Sequence, residues 1–88
     1  MTETPTRALA PTATAVLEQV VRALVDDPDA VRIEVAERGR RVVLDVHVAP
    51  GQLGRVIGRQ GRTAKSIRTL VRAAASRDGV EVDIDFVD

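Results

Sequence analysis

Cysteine, tryptophan and tyrosine are absent from this 88-residue chain; Phe86 is its only aromatic residue and His47 its only histidine. Without cysteine there are no disulfides and no thiolate metal sites, and one histidine cannot build a zinc site alone, so no cofactor or metal is expected. A sheet with one aromatic cannot present a row of rings to nucleobases, which disfavours recognition by base stacking on strands. No apolar run approaches the ~18 residues that a membrane span needs. Residues 1–14, rich in Thr, Pro and Ala, lack the continuous apolar segment of a signal peptide. A cytoplasmic protein with no membrane partner is therefore expected, and its length gives room for one domain with one core.

Net charge is missing as well, since 13 basic residues balance 13 acidic ones. The balance hides a segregation along the chain. Every acidic residue lies at or before Asp45 or at or after Asp78, while Arg55, Arg59, Arg62, Lys65, Arg68, Arg72 and Arg77 fall in the acid-free span between. A basic segment inside an acidic frame reads either as a solvated helix face or as the footprint of a polyanion.

The apolar pattern divides the chain into six elements after a tail. Residues 1–11 contain Pro5 and Pro11 and show no period, so they read as a flexible N-terminal tail, leaving 12–88 as the domain. From Thr12 to Asp26, Val16, Leu17, Val20, Val21 and Leu24 recur at helical spacing, and Asp26-Asp27-Pro28-Asp29 stops the helix. Val31, Ile33 and Val35 alternate with polar residues, as do Val42, Leu44, Val46 and Val48 beyond Arg38-Gly39-Arg40, which predicts a hairpin. A short helix fits Gln52 to Ile57. A longer one should run from Gly61 or Arg62 to Ser76, with Arg62, Lys65, Thr69 and Arg72 on one side and Ile67, Leu70, Val71 and Ala74 on the other. Asp78-Gly79 closes it, and Val80, Val82, Ile84 and Phe86 mark the inward row of a last strand. The predicted fold is α+β, with three helices on one face of a three-stranded mixed sheet. The other face should be acidic at Glu34, Asp45, Glu81, Asp83 and Asp85, which would repel a phosphate chain.

Between the two later helices lies Gly58-Arg59-Gln60-Gly61. Glycine carries no side chain to hold a sugar-phosphate backbone away. The first amides of the following helix are donors at its positive end. Arg59 and Gln60 are placed to grip phosphate oxygens or flanking bases, and Arg62, Lys65 and Arg55 extend the positive field. Nucleotide-enzyme fingerprints fail here: Val56 stands where a dinucleotide-binding G-x-G-x-x-G needs its first glycine, and Ala64 stands where a Walker A loop needs glycine before Lys65-Ser66. No pair of carboxylates lies near the loop in sequence, and neither Ser66 nor His47 has an evident triad partner, so neither an enzyme nor a small-molecule substrate is expected.

With these residues in place, the chain resembles a KH domain of the type II order, αββααβ. The run Leu53-Gly54-Arg55-Val56-Ile57, the loop Gly58 to Gly61 and the continuation Arg62-Thr63-Ala64-Lys65-Ser66-Ile67-Arg68 are similar to the small bacterial single-KH proteins of the KhpA, or YlqC-like, family, over about Val16 to Val87. The resemblance implies binding of single-stranded RNA, about four nucleotides clamped at the loop, with Gly58, Arg59, Gln60 and Gly61 as the clamp and Ile57 and Ile67 supporting it. It further implies an RNA chaperone that forms homodimers or pairs with a KH protein of the KhpB or Jag type. The alternative is a protein-interaction subunit that docks onto such a partner. Leu53 and Val56 are interface candidates, with core packing the competing role.

Overall fold

The computed structural model describes residues 9–87, so residues 1–8 of the flexible tail expected for residues 1–11 lie outside the described residues. Helix α1 spans Pro11–Leu24, strands β1 and β2 span Arg32–Arg38 and Arg41–His47, and helix α2 spans Leu53–Ile57. Helix α3 spans Arg62–Ala75 and strand β3 Glu81–Phe86, with single 3₁₀ turns at Pro28–Ala30, Arg59–Gly61 and Ser76–Asp78. The αββααβ order is the one that the periodicity predicts.

The sheet order is β1-β2-β3, with β2 antiparallel to β1 and parallel to β3. A two-residue turn suffices for the first pairing, whereas the second needs the crossover that α2 and α3 supply. Alternation puts Ile33, Val35, Val42, Leu44, Val46, Val82 and Ile84 on one face. There they join Leu17 and Val21 of α1, Val56 of α2, and Ile67 and Val71 of α3 in one core.

The start of the domain differs from the expectation. Pro11 is the first residue of α1, Ala10 is fully buried and Leu9 packs against the core, so residues 9–11 belong to the folded unit. Proline at the first helical position loses no hydrogen bond, because that amide has no partner within the helix. The amides of Thr12 and Ala13 donate instead to Asp78, at 3.0 Å to Oδ1 and 2.9 Å to Oδ2. A carboxylate from the α3–β3 turn thus caps α1 across more than sixty residues of sequence. Thr14, one turn into α1, is 1 % exposed and its hydroxyl lacks a partner among the described residues, at a cost of about 1–3 kcal/mol.

Two side-chain assignments are corrected. Leu70, expected on the inward side of α3, is 49 % exposed, and the helix buries Ala64, Ile67, Val71 and Ala75 instead. The outer sheet face is mixed, not simply acidic, because strand parity also sends Arg32, Arg38, Arg41 and His47 to that side. Arg32 pairs with Glu34 at 3.3 Å, His47 Nε2 lies 3.1 Å from Glu34, and Arg41 reaches Glu81 at 3.3 Å and Asp83 at 3.2 Å.

On the side of β3 away from β2, two arginines of α3 lean over the strand. Arg68 Nε–H donates to the Ile84 carbonyl at 3.3 Å, and Arg72 Nε–H to the Val82 carbonyl at 3.5 Å. The Arg68 guanidinium also lies 5.2 Å from the ring centre of Phe86, which sits half-buried in the inward row opposite Val46 and packs against the core.

Candidate nucleic-acid interface

The chain leaves α2 through a turn that only glycine can make. The Gly58 amide closes α2 by donating to the Gly54 carbonyl at 2.9 Å, and Gly58 itself adopts φ 75°, ψ 179°. That conformation is essentially restricted to glycine. A Cβ at this position would also overlap the side chain of Thr63, coming 2.7 Å from its Cβ. Gly58 is therefore required twice, by dihedral angle and by space.

The next residues form one 3₁₀ turn, with the Gly61 amide bonded to the Gly58 carbonyl at 3.2 Å. Gln60 (φ 56°, ψ 24°) and Gly61 (φ 74°, ψ 13°) are both left-handed, and Gln60 is the only non-glycine with positive φ among the described residues. A left-handed non-glycine residue costs about 1–2 kcal/mol. Such strain persists where the surrounding structure imposes it, which is common at ligand clamps.

The loop delivers the chain into α3 with an unusual charge arrangement. Helix N-termini favour acids and side-chain caps, yet α3 has neither a capping side chain nor an acid in its first turn. Arg62 occupies its first position and Lys65 follows on the next turn; both are exposed, as are Arg59 and Gln60. Arg59, Arg62 and Lys65 form no ion pair among the described residues. Positive side chains at a positive helix end repel one another unless an anion joins them. Gly58, Arg59, Gln60, Gly61, Arg62 and Lys65 lie together on the loop and the first turns of α3.

Arg55 is held apart from this group. Its Nη2 pairs with Asp26 Oδ2 at 3.1 Å, which ties α2 to the end of α1; beside it Gln52 Oε1 accepts the Asp26 amide at 2.8 Å. Of the two isoleucines expected to support the loop, Ile67 is in the core and Ile57 is only half-buried; Val56 is the buried residue of α2. That also removes Val56 as an interface candidate. Sequence reasoning missed Thr63, whose side chain fills the space behind Gly58, and the contacts of Arg68 and Arg72 with β3. The four-residue spacing of these two arginines is the signal that would have placed them on one flank of α3.

Around Leu70, the residues Lys65, Ser66, Thr69 and Ala73 line a shallow, mainly apolar depression on the outer side of α3. No helix among the described residues is long and apolar enough to cross a membrane.

Residues 14–86 match the family model described as the KH domain of KhpA/KhpB. The chain is 54 % identical over 72 residues to the RNA-binding protein KhpA of Leifsonia xyli, which covers 82 % of this chain and 92 % of that relative. It is 49 % identical to the Streptomyces coelicolor protein of the same name, covering 82 % and 90 %. The Mycobacterium tuberculosis one is 47 % identical, covering 82 % and 89 %. Among solved structures, a variant of Aquifex aeolicus Era bound to GDP.AlF4⁻ superposes with a TM-score of 0.64 over 97 % of this chain and 31 % of that one, at 20 % identity, a likeness of fold.

Proposed function

The chain belongs to the KhpA/KhpB KH-domain family, and we propose that it binds single-stranded RNA by seating the sugar-phosphate backbone on the turn from Gly58 to Gly61. The relatives it matches are RNA-binding proteins by name. The observation that carries the reading is the left-handed Gln60 between two positive-φ glycines at the uncapped start of a basic helix. Phosphate oxygens accept from the loop and from Arg59 and Gln60, and Arg62 and Lys65 neutralise the charge as the strand continues. The chemistry is binding without bond-breaking, in keeping with an RNA chaperone working in the cytoplasm. Arg55 contributes to the field once its exposed pair with Asp26 opens, since such pairs are worth about 0–1 kcal/mol.

Titration of the purified chain with short single-stranded RNA at several salt concentrations tests this reading. With about four phosphates engaged, the log-log slope of affinity against salt should be near −3, at about −0.7 per phosphate on a single strand. A flat response would sink the electrostatic clamp.

The exposed Leu70 favours a second, compatible reading: pairing through the outer side of α3, with another copy or with a KH protein of the KhpB or Jag type. A homodimer gains avidity from two linked clamps. Leu70→Glu is expected to convert the homodimer to a monomer in size exclusion with light scattering, while affinity for a short RNA stays within about threefold. An assembly that survives the substitution would place the interface elsewhere. A stable assembly with no RNA affinity would favour docking as the main role.

A further inference from the structure

A second cluster of cations lies away from the loop. Arg38 and Arg41 at the closed end of the β1–β2 hairpin, with Arg68 and Arg72 of α3, ring a cleft over the outer side of β3 whose floor carries Asp83 and Asp85. Four guanidiniums from three elements thus converge against two carboxylates. We propose that this cleft is a second phosphate-binding point, at which an RNA strand longer than the clamp can hold is taken up; the proposal rests on the RNA-binding reading of the loop.

The arrangement continues the path from the loop. Arg68 meets β3 at Ile84 and Phe86, and Arg72 meets it at Val82, so α3 runs from the loop toward the start of β3. The rise from Arg62 to Arg72 is about 15 Å at 1.5 Å per residue. Beyond Arg72 the hairpin supplies Arg41 and Arg38, so cations line the whole flank.

Each arginine of the cleft is held loosely enough to change partner. Arg41 is about half exposed in its pairs with Glu81 and Asp83, and Arg72 Nη2 is 3.7 Å from Asp83. Arg68 has only a neutral carbonyl and a ring, and Arg38 has no ion pair among the described residues. Exposed pairs of this kind contribute little. Guanidinium binds phosphate through two parallel hydrogen bonds, which a planar fork satisfies and a lone ammonium does not. All four cations here are arginine.

The test compares wild type, Arg38→Glu and the clamp variant Arg59→Asp/Gln60→Asp on single-stranded RNAs of about four and about ten nucleotides. Arg38 is exposed and has no ion pair among the described residues, so its substitution should leave the melting temperature unchanged. Arg38→Glu should weaken the longer RNA about tenfold and make its salt slope shallower by about 0.7, and leave the shorter RNA within twofold. Arg38→Gln should move in the same direction by less. Unchanged binding of the longer RNA would overturn the cleft, and so would an equal loss for both lengths, since that reports a general change of field. If the clamp variant binds both lengths as well as wild type, the reading of the loop fails instead, whatever Arg38 does.

Discussion

Replacing Arg59 and Gln60 together by aspartate is expected to lower affinity for single-stranded RNA by about a hundredfold or more while leaving the fold as stable as wild type, or slightly more so. If the loop seats the phosphates as proposed, two hydrogen bonds to a charged group are lost, each worth about 1.5–3 kcal/mol, and two new negative charges face the phosphates. At 1.4 kcal/mol per decade the hydrogen bonds alone account for about two decades or more. Stability should move the other way for two reasons. Gln60 sits at φ 56°, where aspartate is better tolerated than glutamine, and negative charge just before α3 complements a helix start that carries no acid of its own. Binding isotherms and thermal melts on the same samples check this, and a folded double mutant that binds like wild type would remove the loop from the interface.

The larger loss of stability is expected at Asp78, a residue outside the Gly58–Gly61 loop. Asp78→Ala removes both amide caps of α1, at a cost of about 1–2 kcal/mol, a fall of roughly 5–15 °C in Tm for a domain of this size. The effect should depend on pH in a defined sense. Burial alone would raise the Asp78 carboxyl, but hydrogen bonds from the Ala13 and Thr12 amides and the Thr12 hydroxyl outweigh it and hold the group below its ordinary value. A carboxylate depressed in the folded state contributes stability that is fully present above its unfolded pKa and is lost as pH falls through the folded one. The gap between wild type and Asp78→Ala should therefore be constant from neutral pH to about pH 5 and close on acidification below about pH 4. Urea unfolding of both proteins across that range measures it. A gap that persists undiminished at about pH 2 would mean that the charge on Asp78 is not its source.

Asp78 also marks where sequence reasoning stops. Strand alternation, the helical spacing in α1 and α3 and the breaks at Pro28 and Gly58 are local patterns, and each can be read within a few residues. The loop from Gly58 to Gly61 is local too. A cap that joins Asp78 to Thr12 and Ala13 depends on how the ends of the chain meet, and the Asp-Gly pair reads from sequence only as a turn. Gly79, left-handed at φ 71°, does make that turn. Leu70 fails for another reason: an apolar residue at the margin of a helical stripe goes in or out according to what packs beside it, which the period does not contain. Arg55 shows a third limit, because charge placement along the chain says nothing of Asp26, which the packing of α2 against the end of α1 brings beside it.

The lean of Arg68 and Arg72 over β3 has a consequence for the behaviour of the protein in a crowded solution. β3 borders the sheet, and a border strand with free carbonyls is a template on which another chain can add itself, the first step toward aggregation. Here the carbonyls of Val82 and Ile84 are already taken by guanidiniums whose charge and bulk obstruct an approaching strand. A protein with a formal net charge of zero has no overall repulsion to keep its copies apart, so at the β3 border these two arginines are the local obstacle to strand addition.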